Sequence, residues 1–232
     1  MAYNGNVVTS DGLGIGLYSM VEAARLLRTP RRTLSRWVEG YVREVRFGLK
    51  SYAPVVPRGD EPYLSFGDLV ELLYVRGFRD AGVQLDELRE TAAKFRDEWS
   101  VPYPFATKRF ATDGKHLLIK LGGDWQHALT GQRQAFFDEL GRQLVHMGDL
   151  AAEWRPLGAD RAVVLHPDRA FGKPIEDTSG AHTYVLAQAL QAEGDVAAVA
   201  WWYGTTSNGV EDAAEFERRF AGCIVHGDIF LR

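Results

Sequence analysis

Apolar residues recur at helical spacing in two short stretches near the N-terminus, and each stretch predicts a helix with one buried face. The first stretch has the spacing i, i+3, i+4 and i+7 at Met20, Ala23, Ala24 and Leu27. The second has the same spacing at Leu34, Trp37, Val38 and Tyr41. Ser19 and Glu22 form a capping box at the start of the first helix. Thr29 is expected to be the N-cap of the second helix, with Pro30 at its first helical position.

The polar face of the second predicted helix is rich in arginine. It carries Arg31, Arg32, Ser35 and Arg36. Arginines in this arrangement pair with phosphates or with guanine edges in the major groove, and Thr33 and Ser35 would add phosphate contacts. The pattern therefore predicts a helix-turn-helix whose second helix contacts double-stranded DNA.

Residues 42–63 have no helical period and contain cations, prolines and glycines. We interpret this stretch as a strand-and-turn wing whose cations contact the DNA backbone, with a plain surface loop as the alternative. The predicted DNA-binding residues of the helix pair and the wing are Arg28, Thr29, Arg31, Arg32, Thr33, Ser35, Arg36, Arg43, Arg46 and Lys50.

A second helical pair is predicted after the wing. Ser65 and Asp68 form another capping box, and Gly82 is expected to end that helix. The following helix has heptad-like spacing at Leu85, Leu88, Ala92, Phe95 and Trp99. This seam is expected to be either intramolecular core or a dimer contact.

The middle of the chain predicts a hairpin followed by a helix. Lys108–Ala111 and His116–Leu121 are apolar-rich runs on either side of an Asp-Gly turn. A helix is expected to start near Gln132 and to continue through Trp154, because apolar residues keep a three-and-four spacing over that range. No catalytic or metal-binding motif is apparent in this segment.

The C-terminal part predicts three helices after a short strand at Ala162–Leu165. The helices are expected near 182–192, from Asp195 to Gly204, and from Ser207 onward. The last one carries the acids Glu211, Asp212, Glu215 and Glu217. Phosphates would repel such a helix, so this module is expected to pack on protein. Its aromatic residues are expected to pack in the core, with a ligand pocket as the alternative: Trp201, Trp202, Tyr203, Phe216 and Phe220.

These patterns together predict a mainly α fold with small β elements. The expected organisation is a winged helix-turn-helix over residues 1–100, a linking hairpin and helix over 101–160, and a trihelical, helix-turn-helix-like domain with a strand tail over 161–232.

Charge is distributed unevenly along the 232 residues. Residues 19–58 have a net charge of +6, whereas the whole chain has −4, which leaves −10 for the rest. This asymmetry favours one module that faces nucleic acid and another that faces something else. A solvated basic surface without a partner is the alternative.

Composition narrows the remaining function classes. The single cysteine excludes an internal disulfide and multi-cysteine zinc sites, and it favours a reducing cytoplasm. The N-terminus has no signal-peptide pattern, and no apolar run approaches the length of a membrane span. The histidines lack metal-ligand spacing, and neither the acids nor the glycine-rich residues 12–16 form a catalytic or phosphate-binding motif. The sequence therefore predicts a cytoplasmic, non-enzymatic protein without metal or cofactor.

Two resemblances extend this prediction. The order of helix, turn, arginine-bearing helix, wing, YLSFGDLVELL helix and GVQLDELRE helix resembles the winged helix-turn-helix of MerR-type regulators over about 80 residues. About 60 residues of the C-terminal part, within residues 161–222, resemble a small domain found in predicted antitoxins. The matching positions are His166-Pro167, Phe171–Ile175, Thr183, Tyr203-Gly204, Val210, Ala214 and Phe216-Glu217.

The combination resembles the long VapB-type antitoxins of bacterial toxin–antitoxin pairs. This resemblance implies a homodimer that binds operator DNA, represses its own operon and neutralises a PIN-domain ribonuclease toxin by direct binding. The alternative is a stand-alone MerR-like regulator with a ligand-sensing or dimerising C-terminal domain.

The last ten residues are too apolar for a free tail. They would form a strand that either completes the protein's own sheet or binds a partner. The predicted partner-binding residues are Ile224, Val225, Ile229, Phe230 and Arg232.

Overall fold

The computed structural model describes residues 17–46, 48–58, 61–110 and 132–221. The first elements are the helices α1 (Met20–Leu26) and α2 (Arg31–Val38), followed by the strands β1 (Tyr41–Val45) and β2 (Gly48–Tyr52). β1 and β2 pair antiparallel, with Tyr41 opposite Tyr52. The predicted wing is therefore a hairpin rather than a plain loop.

The two termini of the helix pair form differently. The predicted capping box at α1 is present, because Ser19 and Glu22 each accept a hydrogen bond from the other's backbone N–H. The prediction for Thr29 is wrong. Pro30 is the N-cap of α2, and the Thr29 hydroxyl donates to the carbonyl of Leu27, 2.9 Å away. Thr29 thus satisfies a carbonyl at the end of α1 instead of an N–H at the start of α2.

Two longer helices follow, α3 (Phe66–Asp80) and α4 (Leu85–Trp99). The predicted capping box of Ser65 and Asp68 starts α3. Twelve of the 15 residues of α3 are buried, so this helix is the centre of the main core. The heptad-like residues of α4 pack on that same core, with Leu88, Ala92 and Phe95 buried. The seam is therefore intramolecular core within this chain.

The middle segment contains α5 (Gln132–Gln143), β3 (Leu144–Met147) and β4 (Leu150–Trp154). The predicted continuation of the helix through Trp154 is wrong, because β3 and β4 form an antiparallel hairpin. Gly148, with a φ of +66°, lies in the turn between them. The Gly-Asp pair at 148–149 is typical of a hairpin turn, but the three-and-four spacing of the apolar residues around it favoured a helix.

The earlier hairpin prediction is only partly covered by the structure. Residues 108–110, expected in its first strand, are helical, and the backbone N–H of Phe110 donates to the hydroxyl of Thr107 over 3.1 Å. The first-strand prediction is therefore wrong for these residues. The predicted turn and the strand His116–Leu121 lie outside the described residues.

The C-terminal part begins with β5 (Val163–Val164), a short 3₁₀ turn (Ala170–Gly172) and β6 (Ile175–Glu176). β5 and β6 pair antiparallel. The three predicted helices follow as α6 (Thr183–Glu193), α7 (Val196–Tyr203) and α8 (Ser207–Ala221). A separate small core of Leu186, Val199, Ala200, Val210 and Ala213 joins them. The fold class, mainly α with small two-stranded sheets, is confirmed.

The N-terminal helices pack against the C-terminal helix α8. Phe216 and Phe220 of α8 belong to the main core that contains α1 to α4. Glu217 of α8 accepts hydrogen bonds from Arg25 of α1 and from the hydroxyl of Thr183. The Tyr18 hydroxyl donates to the carbonyl of Gly172 over 2.6 Å. α1 is therefore supported by the C-terminal helices, and α2 is left open to solvent on its other face.

None of the helices within the described ranges is long and apolar enough to span a bilayer.

Candidate nucleic-acid interface

α2 separates its residues into a buried and an exposed face, as the sequence predicts. Leu34, Trp37 and Val38 are buried. The arginines at 28, 31, 32 and 36 are exposed. Arg28, Arg31 and Arg32 have no carboxylate partner among the described residues, so their charge is available to a polyanion.

The hydroxyl residues of this region are less available. Thr29 is only 8% exposed and its hydroxyl is bonded to Leu27. Ser35 is half-buried and donates to the carboxylate of Glu39. Thr33 is half-buried. The structure thus places the arginines, rather than Thr29 or Ser35, in position for a ligand.

The wing contributes the second group of predicted cations. Arg43 and Lys50 lie directly opposite each other on β1 and β2, and both are exposed, as is Arg46. Like charges opposite each other destabilise a strand pair. A phosphate backbone placed against this pair would relieve the repulsion, so the arrangement suits an anionic ligand.

An aromatic cluster, which we call the wing clamp, joins the wing to both neighbouring helices. It consists of Tyr41, Tyr52, Arg36 and Arg89. The two tyrosine rings stack with their centroids 4.6 Å apart. The Arg36 guanidinium lies 5.4 Å from the Tyr41 ring, and that of Arg89 lies 5.6 and 5.4 Å from the Tyr41 and Tyr52 rings. Contacts of this kind stabilise by about 0.5–1 kcal/mol each at exposed sites.

Arg89 is a component of this region that the sequence did not reveal. It lies on α4, far along the chain from the wing, and its Nε donates to the carbonyl of Ala53 over 2.6 Å. It also pairs with Asp86 on its own helix. The wing clamp therefore ties the angle between α2 and the wing to the position of α4.

The acids of α8 are mostly used inside the protein. Arg161 pairs with Asp212 and with Glu215, and the hydrogen bond from Arg161 holds the pKa of Glu215 below its usual value. Glu217 pairs with Arg25. Glu211 remains exposed. The expected packing of this acidic helix on protein is thus realised within the chain itself, on α1 and on the strand region near Arg161.

The core-packing prediction for the aromatic residues is wrong for three of them. Phe216 and Phe220 are buried, but Trp201, Trp202 and Tyr203 are 81%, 53% and 36% exposed. α7 uses Val199 and Ala200 for its buried contacts. The exposed aromatics therefore form part of the outer surface of the C-terminal module.

The central helix α3 carries a fully buried carboxylate, that of Glu71. Glu71 of α3 has no exposed surface, and it accepts hydrogen bonds from the backbone N–H groups of Phe105 and Ala106 at 2.5 and 3.1 Å. Burial raises the pKa of Glu71 to about 8, against the opposing effect of Arg96. This group anchors the segment after α4 to the central helix.

A surface cavity of about 530 Å³ lies beside α8, lined in part by Arg155, Arg161 and Glu211. Arg155 is paired with Glu153 and Asp177, and Arg161 with acids of α8. An anionic ligand would have to displace these internal pairs. In the described ranges, His, Cys, Asp and Glu residues form no group of three that could hold a metal ion.

The predicted partner-binding residues of the tail, Ile224 to Arg232, lie outside the described residues.

Comparisons with known proteins agree with this geometry. Residues 16–92 match a family model described as "Putative DNA-binding HTH domain". The chain is 29% identical to "Putative antitoxin VapB45" of Mycobacterium tuberculosis, over 87% of this chain and 93% of that protein. It is 24% identical to "Uncharacterized protein Rv2308" of the same organism, over 88% of this chain and 91% of that protein.

A solved structure extends the similarity to the fold. The crystal structure of Rv2018 from Mycobacterium tuberculosis matches with a TM-score of 0.66 at 26% sequence identity, and the match covers 86% of this chain and 97% of that chain. The chain carries an N-terminal helix-turn-helix domain, and these similarities support an antitoxin-like helix-turn-helix protein.

Proposed function

We propose that this protein is the antitoxin of a type II toxin–antitoxin pair, which binds operator DNA through a MerR-like winged helix-turn-helix and neutralises a PIN-domain ribonuclease by direct binding. One observation carries the proposal. The exposed arginine face of α2 lies beside the cationic wing, in a chain that is similar over 87% of its length to a protein named as an antitoxin.

DNA binding would use the two exposed groups of cations together. α2 would enter the major groove with Arg31, Arg32 and Arg36, while Arg43 and Lys50 of the wing contact the phosphate backbone. Phosphate contacts supply most of the affinity and make it depend on salt. Helix-turn-helix proteins commonly bind two half-sites as dimers, so we propose a homodimer.

The proposal divides the chain into the three segments 1–100, 101–160 and 161–232. The first segment would bind DNA and the last would bind the toxin. The tail residues predicted to bind a partner remain part of this proposal. The internal ion pairs of α8 support a protein-facing role for the C-terminal module, because they occupy Arg25 and Arg161, while Glu211 stays exposed and would repel phosphates.

The DNA-binding proposal is tested by replacing Arg31 and Arg32 together with alanine. Binding to the DNA upstream of the protein's own operon would be measured by fluorescence anisotropy over a range of salt concentrations. Loss of two arginines that contact the DNA should weaken binding at low salt, and the slope of log K against log salt should fall by about 1 for each of them that contacts a phosphate. Arg142→Ala is the matched control, because Arg142 is an exposed arginine of α5 that pairs with Glu139.

An unchanged affinity and slope for the double variant would contradict the assignment of α2 as the DNA-contacting helix. An equal loss in the Arg142→Ala control would mean that net charge, rather than this helix face, governs binding.

A further inference from the structure

The surface of α6 and α7 has an unusual composition. One residue in four of the whole chain is charged, but residues 178–210 contain only two ionised side chains at neutral pH, Glu193 and Asp195. No lysine or arginine occurs in this stretch of 33 residues. The region that forms α6, α7 and the turn into α8 therefore has almost no charge to keep it in water.

The last turn of α7 exposes three consecutive aromatic side chains, which we call the α7 aromatic patch. Trp201 is 81% exposed, Trp202 53% and Tyr203 36%. Since such side chains carry about 150–250 Å² each, the patch presents on the order of 350–400 Å² of aromatic surface. An apolar patch of this size on a monomer is often functional.

The fold explains why these side chains stay outside. α7 contacts the small core through Val199 and Ala200, and the helix ends at once at Gly204, whose φ is +63°. Three consecutive residues in a helix cover most of its circumference, so at least one of them must point to solvent. Burying all three would need a surface beyond the part of the chain that the structure describes.

Charge excludes nucleic acid as the occupant of this patch. The nearest ionised groups by position in the chain are Asp195, at the start of α7 and about 9 Å along its axis from Trp201, and Glu211 in α8. Both are exposed, and neither takes part in the internal ion pairs of α8 described above. Phosphates would be repelled by these acids, and residues 178–210 contain no lysine or arginine to attract them.

Area and charge also disfavour a second copy of this chain. Two α7 aromatic patches facing each other would bury about 800 Å² in total, below the roughly 1,200–2,000 Å² of a stable interface. The same flanking acids would then face each other across a two-fold axis. The occupant that fits is a different protein, one that offers an apolar cleft to two tryptophans and has basic residues at its rim.

We propose that the α7 aromatic patch is the anchor by which this protein binds its toxin, which would supply an apolar cleft bordered by lysine or arginine. The identification of the occupant rests on the proposed antitoxin function. Tryptophan is the residue type most enriched among the positions that dominate binding energy at protein interfaces. Trp201 and Trp202 are thus the two residues that should dominate toxin affinity.

The test uses the full chain and the PIN-domain protein encoded beside it in its operon, with binding measured by isothermal titration calorimetry. Replacing Trp201 and Trp202 together with alanine should weaken binding at least about 30-fold. The matched control is Tyr63→Ala, which removes an aromatic side chain that is 49% exposed near the start of α3. This control should bind like the wild type.

A second pair of variants, each with a single substitution, tests whether basic residues border the toxin's apolar cleft. This comparison is valid even if the Trp201/Trp202 double variant does not fold. Trp201→Lys should bind more weakly than Trp201→Glu, because only the lysine would meet like charge at a basic rim. Thermal unfolding and operator binding of each variant should match those of the wild type, since the side chain replaced is largely in water.

Several outcomes would overturn the proposal. If the Trp201/Trp202 double variant binds the PIN-domain protein as tightly as the wild type, the patch is not the docking site, although the antitoxin function stands. A double variant whose oligomeric mass changes while its toxin affinity does not would assign the patch to a second copy. If the wild-type chain itself fails to bind the PIN-domain protein, both the antitoxin function and this docking site are wrong.

Discussion

Replacing Glu71 by glutamine would remove a carboxylate from the centre of the protein while keeping its shape. Glu71 has no exposed surface, and one carboxylate oxygen accepts from the N–H groups of Phe105 and Ala106. The amide oxygen of glutamine can accept both bonds. The other oxygen, Oε2, has no hydrogen-bond donor among the described residues and lies 3.8 Å from Arg96. The substitution therefore changes the charge and leaves the anchoring bonds in place.

The magnitude follows from the pKa of Glu71, which burial raises from 4.5 to about 8. The folded protein therefore keeps a proton that the unfolded chain releases between these values. The stabilisation from this group is complete below pH 4.5 and is lost as the pH rises through 8. At 1.36 kcal/mol per pH unit, the total is about 5 kcal/mol, of which roughly 3–4 kcal/mol falls between pH 5 and pH 8.

The other carboxylates whose pKa is shifted do not mask the pH dependence that Glu71 produces. Hydrogen bonds from basic or hydroxyl side chains and backbone N–H groups outweigh the effect of burial and hold the pKa of Glu22, Glu176 and Asp177 below the usual values, so these groups titrate at lower pH. Burial raises the pKa of Asp68, but that contribution is common to the wild type and the variant. The difference between the two proteins isolates Glu71.

The assay is urea unfolding at several pH values from 5 to 8. The free energy of unfolding of the wild type should fall by roughly 3–4 kcal/mol more than that of Glu71→Gln over this range, and the variant should be the more stable protein at pH 8. Glu90→Gln, at an exposed position of α4, is the matched control and should follow the wild type. Parallel pH profiles for wild type and Glu71→Gln would refute the reasoning. They would mean that Arg96 keeps Glu71 ionised in the folded state.

Two further predictions concern contacts that join distant parts of the chain. Arg89→Lys keeps the charge but loses the planar group that stacks on the two wing tyrosines, so we expect operator affinity, measured by fluorescence anisotropy, to fall about tenfold with an unchanged salt slope. A changed slope would instead make Arg89 a phosphate contact. Glu217→Gln removes the ion pair to Arg25 in a partly buried setting, so we expect a loss of about 1–2 kcal/mol in the free energy of unfolding. In an Arg25→Ala background the same substitution should lose much less, and full additivity in this double-mutant cycle would show that the pair is not coupled.

Features that depend on near neighbours in the chain were predictable from the sequence. Both serine capping boxes are present because their hydrogen bonds close within four residues. The apolar spacing of α1, α2 and α4 was sufficient because each of these helices buries one stripe of that spacing. The exposed arginine face of α2 follows from the same periodicity, since its apolar residues occupy the other side.

Where helical spacing and strand spacing fit the same residues, the sequence was not sufficient to assign the secondary structure. Leu144, Ala151 and Trp154 have helical spacing, yet they are also the buried positions of the hairpin formed by β3 and β4. Each assignment buries these three side chains. Pairing of Trp154 with Leu165 on its other side, a contact outside the segment itself, favours the strand.

The sequence by itself thus determined that α1 to α4 form, where the capping boxes start α1 and α3, and which face of α2 carries the cations, because these properties arise from contacts within a few residues. The tertiary structure decided that Arg89 supports the wing and that the tryptophans of α7 lie outside the core. It also decided that three of the acids of α8 form ion pairs with Arg25 and Arg161. Each of these depends on which distant surfaces meet. A single chain's residue pattern does not specify that, because many partners satisfy the same charge or apolar face equally well.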